Sequence, residues 1–286
     1  MKMQYLSSIV KTIVMAVSLL TTTLVEAQTY TVATYNIRLY NKGDVGNLWE
    51  DRAPYVANLI RYHDFDIFGT QEGFANQLQD LLAALPGYTY SGKGRDDGND
   101  KGEHSAIFFK KDKFLLLKSG DFWLSETPDK PGLGWDAKCC NRICSWVFLQ
   151  DKKTKKKFYF FNVHYDHEGK TARLESSKLI LQKIKNFAQG FPTVLTGDFN
   201  AGRDTEPYKI LAQSGIVHDS YNEVKHPYEN NTSFNGFKPD FKGTTVIDHI
   251  FVTKQWKITK WGILTDTYFG KFPSDHFPVE AVIALK

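Results

Sequence analysis

The chain has 286 residues, of which 42% are hydrophobic and 24% are charged, and its formal net charge is +4. This composition is ordinary for a soluble globular protein, and it excludes wholesale disorder, a collagen-like fibre and a protein with many membrane spans. The mildly basic charge is weak support for a polyanionic partner, because proteins that bind duplex DNA by charge alone usually carry a stronger basic stripe.

The first 27 residues have the pattern of a cleaved export signal. After a short polar start, the apolar run Thr12–Leu20 is too short for a stable membrane anchor, and the segment ending at Ala27 suits a signal peptidase. We therefore predict a signal peptide over residues 1–27 and one domain over residues 28–286, exported to a periplasm or secreted, with no transmembrane segment after cleavage. An uncleaved amphipathic helix is the alternative.

The rest of the chain alternates short apolar runs with amphipathic segments, without repeats or linkers. Apolar spacing predicts helices over Trp49–Tyr62, Phe74–Leu85, Thr171–Phe187 and Pro207–Ala212. Strands are predicted over Tyr30–Tyr35, Asp66–Thr70, Ser105–Phe109, Phe114–Leu117, Ile143–Leu149, Phe158–His164, Thr193–Thr196, Val246–Thr253, Lys257–Leu264 and Val279–Leu285. Many strands with few helices predict an α/β fold of two sheets packed face to face with helices outside. A single doubly wound sheet is the alternative, but several of the segments between predicted strands are too short to contain a crossover helix.

The three cysteines lie together in the segment WDAKCCNRICSW. Export would place Cys139, Cys140 and Cys144 in an oxidising compartment, but an odd number leaves at least one thiol without a partner in the chain. Cys144 paired with Cys139 or Cys140 would close a small loop, and buried small hydrophobic residues are the alternative. A metal site is disfavoured because no histidine lies at ligand spacing nearby.

Acidic, amide and imidazole side chains lie at the ends of six apolar runs. They are Asn36, Glu72, His164 with Asp166, Asp198 with Asn200, Asp248, and Asp275 with His276. Any one of them, taken singly, is more often a turn cap than a functional group. Because strand ends of a sandwich converge on one rim, we expect the whole set to share one cleft.

This set of side chains suits metal-assisted attack of water on a phosphoester. The oxygens of Asn36, Glu72 and Asp275 are the ligands that Mg²⁺ or Mn²⁺ prefers over zinc. A metal neutralises phosphate oxygens while a His–Asp pair orients or activates water. The chain has no GxxxxGK[ST] loop, HExxH motif or GxSxG elbow, which disfavours an ATPase, a zinc hydrolase and a serine esterase.

Six motifs in chain order resemble the endonuclease/exonuclease/phosphatase superfamily of DNase I-like, metal-dependent phosphoesterases. They are TYNIR (34–38), TQEG (70–73), NVHYDH (162–167), GDFN (197–200), IDHIF (247–251) and SDHFPV (274–279). The resemblance spans nearly all of residues 28–286. The segment HYDHEGKTAR resembles a variant seen in secreted bacterial members and in deadenylase-like branches, and we expect the exported bacterial branch. It implies a four-layer α/β/β/α sandwich, in which two mixed sheets pack face to face with helices outside.

The resemblance also implies roles for the matched residues at the metal. Glu72 resembles the principal ligand of Mg²⁺ or Mn²⁺, and Asn36 and Asp275 resemble its neighbours in the metal site. His276 resembles the catalytic imidazole that orients or activates the attacking water. Asp248 resembles the carboxylate behind it, which fixes the tautomer and raises the basicity of the ring.

Further matched residues resemble the groups that contact the phosphate. Asp198 and Asn200 are similar to the pair that positions the nucleophile, and His164 is similar to the imidazole that stabilises charge on the phosphoryl oxygens. Glu103 is the candidate carboxylate partner of His164, and a solvated charge at the start of a strand is the alternative.

Two residues are candidates for supporting the site. Asp166 is expected to pair with Arg173 and fix its loop. Arg142 either contacts the substrate phosphate or forms a structural salt bridge.

The expected function is an exported, divalent-metal-dependent hydrolase of phosphoesters, foremost a phosphodiesterase or nuclease. The alternatives are a phosphomonoesterase or phospholipase-C-like enzyme and a non-catalytic binding protein with the same fold. The expected partner is therefore a nucleic acid, a phospholipid or a small phosphate, and no protein partner is indicated. Aromatic residues in the loops 122–135 and 222–245 either stack on a base or, as we expect, cover the edge of the sandwich.

Overall fold

The computed structural model describes residues 28–286, so the predicted signal peptide lies outside the described residues. One six-stranded sheet contains β1 (Thr29–Asn36), β2 (Ile67–Gln71), β3 (Tyr88–Ser91), β4 (Ile107–Lys110), β11 (Trp256–Ile263) and β12 (Val279–Leu285). The second contains β5 (Phe114–Trp123), β6 (Ile143–Asp151), β7 (Lys157–His164), β8 (Thr193–Asp198), β9 (His218–Asp219) and β10 (Asp248–Val252).

Both sheets are mixed. The first has the strand order β11-β12-β1-β2-β4-β3, in which β1 and β2 are parallel, and β1 is antiparallel to β12. The second has the order β5-β6-β7-β8-β10-β9, in which β7 and β8 are parallel, and β8 is antiparallel to β10. The prediction of two mixed sheets is confirmed, and the alternative of a single doubly wound sheet is wrong.

Helices cover the outer face of each sheet. The helices α1 (Trp49–Tyr62) and α2 (Ala75–Ala84) share an apolar cluster with the first sheet. The helices α3 (Lys170–Ala188) and α4 (Glu206–Ala212) share another with the second sheet, and a 3₁₀ turn follows at Ser220–Glu223. A third cluster, which includes Ile67, Val147 and Phe160, fills the space between the sheets. This arrangement is the predicted four-layer sandwich.

All four predicted helices and all ten predicted strands are present. The bounds of Trp49–Tyr62 and Val279–Leu285 are as predicted, and those of the other elements shift at one end or both. The short strands β3 and β9 were not predicted. Among residues 28–286, none of the helices has both the length and the apolar composition needed to cross a membrane.

The cysteines pair differently from the loop closure considered above. The disulfide joins the neighbours Cys139 and Cys140, and Cys144 is a free, buried thiol. Cys144 lies in β6, with its side chain in the apolar cluster between the second sheet and α3. Its place in the packed core keeps the thiol away from the preceding loop, so the pairing of Cys144 with either neighbour is wrong.

A buried amide joins the two sheets through hydrogen bonds. Asn162 Nδ2 donates to the carbonyl oxygens of Thr70 and Ala106 at 2.8 and 3.1 Å. Its Oδ1 accepts from Gln71 Nε2 at 2.7 Å and from Thr196 Oγ1 at 3.0 Å. Because a buried amide is costly unless its donors and acceptors are paired, this network favours one relative position of the sheets.

Replacement of Gly69 tests how tightly the sheets approach at this network. A Cβ atom at Gly69 would overlap Asn162 Oδ1 and Thr196 Oγ1. We expect Gly69→Ala to lower the free energy of unfolding by roughly 1–3 kcal/mol, the usual cost of overpacking a core. Gly87→Ala is the matched control, since its Cβ would meet nothing within 4 Å. Equal denaturation midpoints for the two variants would contradict this account of the interface.

Candidate active site

The register of the second sheet places three predicted site residues in one row. β7 pairs His164 with Asp198, and β10 pairs Asp248 with the same Asp198. Side chains alternate between the faces of a strand, so these three share a face with Phe160 and Val194, which lie between the sheets. The row therefore points into the space between the sheets at the ends of β7 and β8.

The first sheet supplies the opposite side of the site. β1 ends at Asn36, which pairs with Gln71, and Glu72 follows directly after β2. Asp275 and His276 precede β12, and Ser274 Oγ donates a 2.7 Å hydrogen bond to the backbone oxygen of Asn36. The predicted residues of both sheets thus meet at one end of the sandwich.

Three residues around the site have left-handed backbone conformations. The φ angles are 58° at Arg38, 67° at Glu72 and 46° at Asn200. Residues other than glycine adopt this region at a cost in energy, and they persist there only when their surroundings hold them. The conformation aims these side chains at one cavity, which all three line.

His276 and Asp248 form a buried pair that crosses between the sheets. His276 Nδ1 lies 2.9 Å from Asp248 Oδ2, and Ser233 Oγ accepts a hydrogen bond from the Asp248 N–H. His276 Nε2 lies 3.5 Å from Asn36 Nδ2 and 3.8 Å from Asp198 Oδ2. Burial lowers the pKa of His276, but the charge and hydrogen bond of Asp248 outweigh it and raise the pKa to about 10.

Asp198 lies at the centre of the site. Burial and the neighbouring charge of Asp248 raise the pKa of Asp198 to about 7. Its Oδ2 accepts a 3.0 Å hydrogen bond from Asn36 Nδ2, and its Oδ1 accepts one from the Asn200 N–H at 2.9 Å. Asn200 in turn donates from Nδ2 to the backbone oxygen of Tyr165 at 3.1 Å. These bonds fix the carboxylate between the two histidines.

His164 lies between two carboxylates without a hydrogen bond to either. Its Nε2 is 3.6 Å from Asp198 Oδ2 and its Nδ1 is 3.7 Å from Glu103 Oε2. Burial lowers the pKa of His164, and the positive charges of Arg142 and Arg95 lower it further, so the ring is neutral at physiological pH. Glu103 also accepts a 2.6 Å hydrogen bond from Arg95 Nη1.

A second group of carboxylates has the donor chemistry of a divalent-metal site. Burial raises the pKa of Asp275 to about 6, and the charge of nearby Glu72 adds to this effect. Arg38 lies beside both, 3.7 Å from Asp275 and 3.9 Å from Glu72. Glu72 Oε1 accepts from Asn36 Nδ2 at 2.9 Å. Crowded, buried carboxylate oxygens fit a hard cation such as Mg²⁺ or Mn²⁺, which relieves their mutual repulsion.

Asn36 is oriented toward the carboxylates through its nitrogen. Its Nδ2 donates to Glu72 and Asp198, and its Oδ1 accepts from the Arg38 N–H at 3.0 Å. In this conformation Asn36 holds the acidic groups together, and its role as a metal ligand remains a prediction.

The predicted supporting pair is arranged differently from the expectation. The carboxylate of Asp166 lies 3.4 Å from Arg142 Nε, and it accepts hydrogen bonds from the N–H groups of Glu168 and Gly169. Arg173 contacts only the backbone oxygen of Asp166, at 2.9 Å. The prediction that the Asp166 side chain pairs with Arg173 is wrong, because the turn at residues 166–169 directs this carboxylate toward Arg142.

These groups surround a cavity of about 600 Å³. Eight predicted site residues line it: Glu72, Glu103, Arg142, His164, Asp198, Asn200, Asp275 and His276. Asp248 lies behind His276 and Asp166 behind Arg142. A cavity of this size holds a small organic molecule in addition to a phosphate group.

Several other residues that line the cavity were not predicted. They include Arg38, Arg95, Cys140, His167 and Phe234. Arg38 and His167 lie inside the motifs TYNIR and NVHYDH, so their positions beside strand-end residues were an available signal. Arg95 and Cys140 lie in loops whose paths the apolar pattern does not define.

The sequence profile of the Endonuclease/Exonuclease/phosphatase family matches residues 33–276. The chain belongs to this family. Members of the Endonuclease/Exonuclease/phosphatase family are phosphoesterases that typically depend on a divalent metal, and the chain is accordingly a phosphoesterase.

Solved structures and other relatives agree with this membership. The mannosyl-6-phosphatase of Bacteroides thetaiotaomicron VPI-5482 is 48% identical, with a TM-score of 0.88 over 90% of this chain and 100% of that one. Another structure, of a family protein from Bacteroides thetaiotaomicron, is 47% identical, with a TM-score of 0.89 over 91% and 99%. The Ccr4 exoribonuclease subunit of Mycosarcoma maydis is 22% identical over 83% of this chain, which spans only 45% of that protein.

Removal of the Glu72 charge tests the acidic group as a metal site. We expect Glu72→Gln to weaken Mn²⁺ binding roughly tenfold or more, since loss of a ligand charge affects a hard cation directly. Isothermal titration calorimetry on the purified protein measures the change. Asp112→Asn is the control, because Asp112 is an exposed carboxylate beyond β4, away from the site. Unchanged affinity in Glu72→Gln would contradict this placement of the metal.

Proposed function

We propose that the chain is an exported phosphomonoesterase that uses Mg²⁺ or Mn²⁺ to hydrolyse a phosphorylated sugar. The observation that carries this proposal is the pair of buried guanidinium donors beside the acidic site. Arg142 Nη1 and Arg95 Nε are buried and have no hydrogen-bond partner among the described residues. A terminal phosphate carries more charge and more free oxygens than a diester, so it makes better use of these donors.

The lining of the cavity supports a small polar ester over a polynucleotide. Phe234 is the one aromatic residue among the described residues that line it, and its ring already packs against His276 and Phe241. Trp123, which the sequence placed in an aromatic loop, is the last residue of β5; it is buried and donates from Nε1 to the Arg95 backbone oxygen at 2.6 Å. Proteins that bind single strands usually offer free aromatic faces to successive bases. The 48% identity to a mannosyl-6-phosphatase also supports a sugar phosphate.

In the proposed mechanism, Glu72 and Asp275 hold the metal, which neutralises phosphate oxygens and polarises the phosphorus when bound. Asp198 Oδ2 and His276 Nε2 are 3.8 Å apart, so one water molecule reaches both. As the water oxygen bonds to phosphorus, His276 takes up the proton of this water at Nε2, because Asp248 holds Nδ1. The bond from phosphorus to the sugar oxygen breaks, and the sugar oxygen takes a proton from solvent. A cation held by Glu72 and Asp275 would lower the pKa of His276 from about 10 toward the range in which the ring accepts a proton.

Asn200 and His164 complete the proposed mechanism on the phosphate side. Both line the cavity beside Asp198 and donate hydrogen bonds to phosphoryl oxygens as charge develops on them. Glu103 and Asp166 do not reach the reacting atoms in this scheme. Glu103 holds Arg95 beside His164, and Asp166 holds Arg142 against the cavity.

A comparison of ester classes tests the proposed function. Purified protein is assayed on mannose 6-phosphate, p-nitrophenyl phosphate and bis-p-nitrophenyl phosphate, with Mg²⁺, Mn²⁺ or EDTA. We expect metal-dependent hydrolysis with kcat/KM at least roughly tenfold higher for the monoesters, since the free guanidinium donors favour the more charged group. Preferred cleavage of the diester would instead support the phosphodiesterase or nuclease expected from the sequence. Activity that survives EDTA would contradict the metal-dependent mechanism.

Replacement of His276 tests its role in that reaction. We expect His276→Gln to lower kcat by roughly 10²-fold or more, because the variant loses a group that acts on the transition state. Glutamine keeps a donor for Asp248, so the melting temperature serves as a check on the fold. His226→Gln, at an exposed histidine, is the matched control. Near-normal kcat in His276→Gln would contradict the assigned role.

Export rests on the sequence of residues 1–27 and has its own test. The full chain is expressed in a Gram-negative host, and the mature protein is identified by fractionation and N-terminal sequencing. We expect periplasmic or secreted protein that begins at Gln28, and we expect Val17→Lys to block processing because it interrupts the apolar run. Full-length wild-type protein in the cytoplasm would contradict the signal peptide.

A further inference from the structure

A disulfide between adjacent residues lies in the wall of the active-site cavity. Cys139 is bonded to Cys140 in the loop before β6. Cys139 is exposed, and Cys140 is half-buried and lines the cavity. The mechanism proposed above makes no use of either residue.

This disulfide contributes little to the stability of the whole fold. A disulfide stabilises a protein mainly by closing a loop of the unfolded chain, and the effect grows with the length of that loop. Cys139 and Cys140 are adjacent in the sequence, so their bond closes almost no loop. Its position at the cavity therefore needs an explanation other than global stability.

Direct contacts connect the disulfide to a charged wall of the same cavity. Cys139 Sγ, a carboxylate oxygen of Asp166 and a ring nitrogen of His167 lie within 4.8 Å of one another. Arg142 Nη2 donates to His167 Nδ1 at 2.7 Å, and Arg142 Nε lies 3.4 Å from Asp166. The disulfide, Arg142 and His167 thus form one continuous surface beside the proposed phosphate site.

These hydrogen bonds leave two donors, Arg142 Nη1 and His167 Nε2, available to a ligand. Because His167 Nδ1 accepts from Arg142, the ring proton is at Nε2, which lies 3.7 Å from Glu168 Oε1, and this ring is about half exposed. Arg142 Nη1 has no partner among the described residues, although the side chain is only 5% exposed. The two sulfur atoms add an apolar, polarisable face between these donors and the solvent.

We propose that the Cys139–Cys140 disulfide, Arg142 and His167 form a specificity subsite that binds the sugar of the phosphate ester. This inference rests on the proposed function and adds the residues that recognise the part of the substrate that does not react. The sulfur atoms contact the carbon-bound hydrogens on one face of the ring. At the edge of this subsite, Arg142 Nη1 donates to the phosphate, as in the proposed function, and His167 Nε2 donates a hydrogen bond to an oxygen of the sugar.

The intact bond matters because it keeps the two sulfur atoms side by side as one apolar face. A dithiol reductant converts the disulfide to two thiols and is itself oxidised to a disulfide, so two electrons and two protons pass to the cysteines. The two thiols are no longer held together, and the joint apolar face is lost. Cys144 does not take part, because it is buried in the core, and burial raises its thiol pKa well above the usual range.

Kinetics on two ligands separate a sugar subsite from a structural role. The KM for mannose 6-phosphate and the inhibition constant of inorganic phosphate, which has no sugar, are measured with Mg²⁺. The samples are the oxidised wild type, the wild type reduced with dithiothreitol, the Cys139→Ala/Cys140→Ala variant and the Cys144→Ala control. We expect reduction or the double substitution to raise the KM for the sugar phosphate roughly tenfold or more, as for the loss of a binding face. The inhibition constant of phosphate, kcat and the melting temperature change little.

The Cys144→Ala control is expected to keep the wild-type KM and to respond to dithiothreitol as the wild type does. An unchanged KM in the double variant would overturn the subsite while leaving the phosphatase function intact. An equal rise in the KM and in the inhibition constant of phosphate would show a structural role and would also overturn it. If the oxidised wild type hydrolyses only diesters, the proposed function fails, and the sugar subsite fails with it.

Discussion

The site depends on the pairing of Asp198 with His164 on one side and with Asp248 on the other. A shift of one residue in either pairing would turn a whole strand over, because side chains alternate between the faces of a sheet. The register that buries Phe160 and Val194 between the sheets also points this row into the cavity. The apolar core and the arrangement of the acidic and imidazole groups are therefore specified by the same alternation.

The electrostatics of the site link the two sheets across this row. His276 comes from the segment before β12 of the first sheet, yet its partner Asp248 lies in the second. Burial raises the pKa values of Asp198 and Asp275, and the charges of Asp248 and Glu72, respectively, raise them further. A cation beside these carboxylates would stabilise their charged forms. The left-handed backbone at Glu72 adds local strain, which the packed sheets maintain.

Much of this fold was predictable because its signals are local. Apolar periodicity predicted the helices and the longer strands. The polar residues at strand ends predicted which side chains meet in the cavity. The strand β9 has only two residues, too few for a periodic signal. The contacts of Arg95, Asp166 and Cys140 depend on loop paths, which tertiary packing decides. The resemblance to a known superfamily predicted phosphoester hydrolysis. The loops determine whether the substrate that carries the reacting phosphate is a sugar or a nucleic acid.

The convergence of the two sheets forms one site, which we propose is a metal-dependent phosphoester site. Anomalous X-ray diffraction from crystals soaked with Mn²⁺ and phosphate tests it most directly. We expect a manganese peak next to Glu72 and Asp275, with phosphate oxygens beside Asn200 and His164. A manganese peak at other residues, or none at a Mn²⁺ concentration that supports full activity, would contradict it.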